Sequence, residues 1–287
     1  MKIGIIGLGL IGGSLGRTIV KRTCDKVYAL DISKKAMLDG KLLCAYHFEL
    51  NKDNIGEMDI LVLSLYPAAL ESALNEYCPL LKDGCLVMDC CGNKRRVVKQ
   101  MQVLSKKYPN LDFISAHPMA GREFSGVNHS TATLFDRASM ILVPVKADIK
   151  KVAFLKAYSL SLGFGTVVIT TAEKHDEIIA FTSQLAHLVS SSYIKSETAM
   201  QFMGFSAGSF RDMTRVARLS PEMWAQLTVD NSDFLTGEID SIIKSLTEYK
   251  DALKEKNIDK MKELLADGNE RKLLSEKMRR SKSSDDK

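Results

Sequence analysis

The feature that most constrains this chain is the run Gly7-Leu8-Gly9-Leu10-Ile11-Gly12, which follows the apolar segment KIGII at once and opens a helical pattern. A G-x-G-x-x-G between a strand and a helix is the fingerprint of a dinucleotide-binding unit, because each glycine answers a separate steric demand. Gly7 permits the tight turn, Gly9 lets the backbone approach a pyrophosphate, and Gly12 lets helix and strand pack closely. The helix N-terminus, with Leu10 and Ile11 in its first turn, offers amide donors and the positive end of a dipole to the phosphates. Gly13 and Ser14 extend the run. Asp31 stands 19 residues after Gly12 at the end of the second apolar run. A carboxylate there accepts hydrogen bonds from an adenosine ribose and repels a 2′-phosphate, so NAD is expected over NADP. Lys34 and Lys35 follow closely and would partly compensate a phosphate. Ser64, closing the run MDILVLS, is counted with the residues that meet the cofactor.

Short apolar, β-branched runs alternate with helical patterns through the first half: KIGIIG, KVYALD, MDILVLS, CLVMDC, LDFISAH and ASMILVPV. This alternation predicts an α/β fold with a Rossmann-type doubly wound parallel sheet over residues 1–147. After Pro144 the pattern changes, and beyond the short run GTVVIT long helical patterns dominate, so an all-helical dimerisation domain is expected over 148–287. The segment from Thr171 to about Ser196 reads as the longest helix, and its Ile178, Ile179, Leu185, Leu188 and Val189 predict packing against a partner subunit in a homodimer.

The chain of 287 residues is 45% hydrophobic, enough for one large domain or two of ordinary size. Its first apolar run is too short to span a bilayer and lacks a cleavage pattern, so no membrane segment is expected. All six cysteines lie in the first third with no C-x-x-C pair and no zinc spacing, which points to free thiols in a reducing cytoplasm and to no metal site. The adjacent Cys90 and Cys91 could bridge only with strained geometry. The formal charge of +5 leans on the terminal KMRRSKSSDDK, read as a solvated helix end and a frayed tail. Without interleaved aromatic residues those charges give no reason to expect nucleic-acid binding.

Further motifs stand later in the chain: His117-Pro118-Met119-Ala120-Gly121-Arg122-Glu123, then Ser125-Gly126 and Leu134-Phe135. His187 lies on the predicted long helix, followed by Gly208-Ser209-Phe210-Arg211-Asp212-Met213-Thr214-Arg215 and Ser220-Pro221-Glu222-Met223-Trp224. In these motifs and their order the chain resembles the prephenate dehydrogenases, from Met1 to about residue 256. The resemblance implies an NAD-dependent oxidative decarboxylation of prephenate to 4-hydroxyphenylpyruvate, on the route to tyrosine. It also implies that His117 is the catalytic base, that Arg215 holds the ring carboxylate, and that His187, Gly208 and Trp224 shape the substrate pocket. The chemistry agrees with these roles: a neutral imidazole can take the alcohol's proton, and a guanidinium fork suits a carboxylate.

Two positions depart from the family pattern. Gly92 stands where the family's D-x-x-S-x-K segment has serine, so either a water or Asn93 is expected to supply the missing donor beside His117. Gln184 stands where the family often has another histidine and is expected to tune side-chain recognition. Other readings remain open at this stage. Read alone, His117 caps a turn, His187 is a core residue, Arg215 pairs with Asp212 on the surface, and Trp224 belongs to the core or a dimer contact. His47, His129 and His175 are read as surface or helix-start residues. The competing functions are an arogenate dehydrogenase, a hydroxyacid dehydrogenase or imine reductase on the same two-domain plan, which would lack the His117 motif, and a non-catalytic NAD-responsive binding protein; no C-terminal regulatory domain is expected.

Overall fold

The structure, a computed structural model, describes residues 1–285 apart from 123 and 207, with side chains described as far as residue 278. Glu123 of the His117 motif and the last two residues therefore lie outside the described residues. The chain opens with β1 (Lys2–Ile6), α1 (Leu10–Arg22), β2 (Lys26–Leu30), α2 (Lys34–Leu42) and the two-residue β3 (Phe48–Glu49). It continues through β4 (Ile60–Leu63), α3 (Pro67–Tyr77), β5 (Leu86–Asp89), α4 (Arg95–Lys107) and β6 (Asp112–Met119). The sheet is completed by β7 (Ser139–Lys146), α5 (Ile149–Ser161) and β8 (Thr166–Ile169).

These strands form one sheet in the order β3-β2-β1-β4-β5-β6-β7-β8. The first six run parallel, whereas β7 is antiparallel to β6 and β8 is parallel to β7. From β1 the connections leave in opposite directions, toward β2 on one side and β4 on the other. The carboxyl ends of β1 and β4 therefore border the crevice where doubly wound sheets take their ligands. Gly7 follows β1 and Ser64 follows β4, and Ser64 N donates to Ile6 O at 2.8 Å across that crevice.

The central strands β4 and β5 are buried at every position because helices cover both faces of the sheet. Ile60 and Val62 pack in one layer with Leu15 and Ile19 of α1 and Leu155 of α5. Leu61 and Leu63 point the other way, to Leu70 and Leu74 of α3 and Met101 of α4. Each such side chain contributes roughly 1.5–3 kcal/mol when removed from water.

The run GTVVIT enters the sheet as β8, beside β7, so the sheet continues past residue 148, where the sequence pattern changes, to Ile169. Helical structure follows as α6 (Ala172–Ile179), a wide π-helical turn over Ala180–Leu185, and α7 (Ala186–Tyr193). Then come α8 (Gly208–Thr214), α9 (Pro221–Asp230), α10 (Ser232–Lys254) and α11 (Ile258–Asp285). The stretch expected from Thr171 to Ser196 is helical but is not the longest: α10 has 23 residues and α11 has 28. The expected frayed tail is helical through Asp285.

The chain divides into two compact units, Met1–Leu235 and Thr236–Lys287. The second is a helical hairpin in which Asn257 Oδ1 caps α11 by accepting from Lys260 N at 2.9 Å, and Tyr249 donates to Leu264 O at 3.2 Å. Its Ile243, Leu246, Leu265 and Leu273 are exposed. Among the described residues no helix is long and apolar enough to cross a membrane.

One close approach holds α1 onto the first unit. A Cβ placed on Gly16 would fall 2.1 Å from the carbonyl oxygen of Ala45, so backbone passes directly over the helix there. Gly16→Ala is expected to lower stability by about 1–3 kcal/mol, as overpacked sites do. Thermal unfolding measures it, and an unchanged Tm would mean that the Ala45 segment yields freely.

Candidate active site

The glycine run forms a cradle in which each glycine has a distinct reason. Gly7 has φ +96°, and a Cβ there would sit 2.3 Å from Ser64 O. A Cβ on Gly12 would meet Gly7 O at 2.0 Å, whereas one on Gly9 would have no neighbour within 4 Å. Gly9 thus faces open space, the approach a phosphate needs. Gly9 also precedes α1 without a capping side chain, and Leu10 and Ile11 stand half-buried in its first turn with no acidic residue beside them. The cradle fits a dinucleotide pyrophosphate. Asp31 is half-buried: its Oδ2 accepts from Leu8 N at 2.7 Å and its Oδ1 from Ser33 N at 2.8 Å. The carboxylate braces the glycine loop, and it also borders an open cleft of about 430 Å³ with Lys34, Met37, Lys41 and Tyr46.

Gly13 and Ser14 serve a different purpose from the cradle. A Cβ on Gly13 would come 2.9 Å from Val127 Cγ2, and Ser14 Oγ accepts from Thr131 N at 3.0 Å. Together they dock the segment after the His117 motif onto α1.

His117 lies two residues before the end of β6, opposite Ile141 of β7. Its Nδ1 is 2.9 Å from Nε2 of His175, and Nδ1 of His175 is 2.7 Å from Oδ1 of Asp176. Of the reading of His175 as a surface or helix-start residue, the surface part is corrected: it stands in the first turn of α6, but buried, and it pairs directly with His117. Asp176, also buried, accepts Lys94 N at 2.8 Å on Oδ1 and Arg95 N at 2.9 Å on Oδ2. It therefore caps α4, and these donors together with His175 hold its carboxyl below the usual range against the opposing effect of burial.

These bonds assign the tautomers. An ionised Asp176 can only accept, so Nδ1 of His175 carries the hydrogen and donates. Nε2 of neutral His175 then accepts from Nδ1–H of His117, and Nε2 of His117 keeps its lone pair. Burial, reinforced by His175 and the Lys94 ammonium, pushes the His117 pKa well below the usual imidazole value. His175 is also lowered, by burial first, although Asp176 opposes the shift.

Beneath His117 lies a fully buried ion pair. Lys94 Nζ is 2.7 Å from Asp89 Oδ2 and donates to the carbonyl of Ala116, the residue before His117, at 2.6 Å. The remaining capacity of Asp89 is filled by the Ser115 hydroxyl and by Cys91 N at 2.7 Å. Burial pushes the Cys90 thiol up to about 12 and Cys91 to about 11, so both stay neutral and unbridged.

The expectation that Asn93 supplies a donor to His117 is not met. Asn93 is buried with its amide turned to Leu227 O at 2.7 Å, and its Oδ1 accepts from Gln184 at 2.9 Å. Gln184 is likewise buried, accepting from Asn231 at 2.8 Å and donating to Leu227 O at 3.2 Å. The three amides join β5–α4, the π-helical turn and the start of α10 in one closed network. A Cβ on Gly92 would lie 3.2 Å from Leu227 Cδ2, so α9 approaches closely where the family serine would stand.

His187 is half-buried on α7. Its Nδ1 donates to Ser183 O at 2.8 Å, and its ring centroid is 4.2 Å from that of Trp224 on α9. Gly208 opens α8, Arg215 follows its end, and both are exposed; Ser190 of α7 donates to Met213 O at 2.7 Å, tying α8 to the helix that carries His187. The structure thus joins His117 to His175 and His187 to Trp224. Sequence reasoning missed His175 and Asp176 although a signal was present: Ala172, His175, Asp176 and Ile179 recur at three- and four-residue spacing, and all four are buried.

The cradle at the crevice, with His117 near the carboxyl end of β6 on the same edge of the sheet, places the fold among doubly wound dinucleotide-binding proteins. The sequence model of the prephenate dehydrogenase nucleotide-binding domain matches residues 15–170, and that of the prephenate dehydrogenase dimerization domain matches residues 171–267. The chain belongs to the prephenate dehydrogenase family. It is similar to the cyclohexadienyl dehydrogenase of Zymomonas mobilis, 29% identical over 267 residues that span 88% of each chain. It is 28% identical to the prephenate dehydrogenase of Bacillus subtilis over 90% of this chain and 71% of that one. Its fold matches the crystal structure of Aquifex aeolicus prephenate dehydrogenase in complex with hydroxyphenyl propionate and NAD+, with a TM-score of 0.80, 23% identity and coverage of 96% and 98%. The crystal structure of Synechocystis arogenate dehydrogenase matches with a TM-score of 0.78, 21% identity and coverage of 96% and 100%.

The Lys94–Asp89 pair yields a stability test. Lys94→Met would leave Asp89 buried without its cation, at a cost of about 3–5 kcal/mol. Adding Asp89→Asn should recover part of that loss in denaturant unfolding. A double variant no more stable than the single one would show that the charge of Asp89 is not the source of the penalty.

Proposed function

We propose that this chain is an NAD-dependent prephenate dehydrogenase that converts prephenate to 4-hydroxyphenylpyruvate and carbon dioxide on the route to tyrosine. The observation that carries the reading is the His117–His175–Asp176 chain, because it leaves a neutral imidazole with Nε2 as acceptor at the same edge of the sheet as the crevice that suits the cofactor. NAD, when bound in the cradle, supplies the hydride acceptor, and the family's nucleotide-binding domain supports its place there. Nε2 of His117 takes the proton of the ring hydroxyl as hydride leaves the same carbon. The imidazolium so formed is stabilised by its Nδ1–H bond to His175, which Asp176 holds in the accepting tautomer. Once the carbonyl has formed, the bond from ring to carboxylate breaks, its electrons pass through the ring to the carbonyl oxygen, which takes back the proton held by His117, and carbon dioxide leaves as the ring becomes a phenol.

Arg215 holds the ring carboxylate in this reading, while His187, Trp224 and Gly208 line the far side of the substrate. Gly7, Gly9, Leu10, Ile11, Gly12, Asp31 and Ser64 meet the cofactor. The six unbridged cysteines support a reducing, cytoplasmic setting. The match to the family's dimerization domain and the exposed leucines of the helical hairpin support a homodimer.

Spectrophotometric assay of NADH formation with prephenate and with arogenate tests the substrate. Prephenate is expected to give the higher kcat/KM; a higher value with arogenate would make the chain an arogenate dehydrogenase, and no turnover with either would sink the enzymatic reading. His117→Asn is expected to lower kcat by ~10²–10⁴-fold with NAD affinity intact. Because the base works unprotonated, kcat/KM should rise with pH through the His117 pKa. Burial places that limb below the ordinary value of about 6.5. The limb should be absent from the variant, and a variant that retained it would have another base.

Cofactor choice is tested at Asp31. Asn retains an acceptor for Leu8 N but removes the charge, so Asp31→Asn should narrow the preference for NAD over NADP by about tenfold, or about 1.4 kcal/mol. An unaltered ratio of kcat/KM values would assign the discrimination to other groups.

A further inference from the structure

Arg95, the first residue of α4, reaches acceptors on two other parts of the first unit. Its two terminal nitrogens each lie 2.6 Å from a carboxylate oxygen of Asp233, one of them also donates to Asn231 Oδ1 at 2.8 Å, and Nε donates to Asp176 Oδ2 at 3.2 Å. The guanidinium also stands 4.5 Å from the ring centroid of Phe234. Asp176 is consequently held at both ends: Oδ1 serves His175 and Lys94 N, and Oδ2 serves Arg95 through backbone and side chain. Rotation of this carboxylate would break the bond that keeps His175 in its accepting tautomer.

We propose that Arg95 is a positioning residue for the dehydrogenase reaction, fixing Asp176 against His175 and, together with Asp233, setting the charge that the imidazole chain meets. This rests on the reading of His117 as the base. The charged groups joined to the imidazole chain are Asp176 on α6, which bonds His175, Arg95 on α4, which bonds Asp176, Asp233 on α10, which bonds Arg95, and the Lys94–Asp89 pair of α4 and β5 beneath His117. Three carboxylates and two cations leave the group one negative charge, which a proton on His117 neutralises. Removing the charge of Arg95 leaves two negative charges and makes the imidazoles more basic. Removing that of Asp233 leaves none and makes them less basic, by a smaller amount because Asp233 is exposed and screened by solvent. A residue that only clamped helices together would not move the two profiles in opposite directions.

The test is the pH dependence of kcat/KM for prephenate at low ionic strength, on the full-length protein. Arg95→Met is expected to shift the acidic limb upward by about half a unit to one unit and to lower the plateau kcat about tenfold through misplacement of the chain. Asp233→Asn should shift the limb downward by less. Arg95→Lys keeps the charge without the fork, so the limb should stay while kcat falls. Thermal unfolding and NAD affinity report whether each variant is folded. If Arg95→Met does not fold, the direction of the Asp233→Asn shift against Arg95→Lys decides. Limbs that stay in place, or that shift in the same direction in Arg95→Met and Asp233→Asn, overturn the proposal. If His117→Asn abolishes the limb while the Arg95 and Asp233 variants leave it unmoved, this inference fails and the base assignment stands. If His117→Asn keeps the wild-type limb, the base assignment itself has failed.

Discussion

The carboxylate of Asp176 is the interaction on which the rest of the site depends. It supplies the acceptors that the first turn of α4 lacks within its own helix, and it orients the imidazole of the residue before it. A helix cap and a proton acceptor's support are thus the same group. Because α4 follows β5 and α6 follows β8, this one side chain ties the helical segment to the sheet where His117 emerges. Its position in the interior strengthens each of these bonds and makes an unpartnered state correspondingly unfavourable.

Around that carboxylate the interior is unusually polar yet well satisfied. Among the described residues no buried side-chain nitrogen or oxygen lacks a hydrogen-bond partner. Lys94 and Asp89 neutralise one another and hold the carbonyl just before His117, while Asn93, Gln184 and Asn231 form an uncharged network beside them. Both departures from the family pattern acquire a physical account here. Gly92 accommodates Leu227, and Gln184 uses its amide nitrogen as donor to both Asn93 and Leu227 O and its oxygen as acceptor from Asn231, whereas a neutral imidazole has a single donor. His117 finds its partner in His175 rather than in a hydroxyl from the segment after β5.

The nucleotide cradle and the sheet were legible because their information is local or periodic. Gly7, Gly9, Gly12 and Asp31 fall within one strand-helix-strand unit, where the steric reason for each glycine can be stated before any neighbour is known. The alternating apolar runs likewise announced the buried strands, although Thr166–Ile169 was hard to assign to the sheet because three of its four residues remain exposed. What only the tertiary structure decided is which polar side chains meet. His117 and His175 are separated by 58 residues, and Gln184 and Asn93 by 91. A hydrogen bond across such a distance leaves no repeat in the sequence. His175 and Asp176 occupied the buried face of an amphipathic helix, so their burial was encoded; their partners were not, because these depend on how α6 packs against the start of α4 and against His117. The sequence by itself determined a dinucleotide fold with a histidine at the carboxyl edge of its sheet, and packing alone determined which groups make that histidine an acceptor.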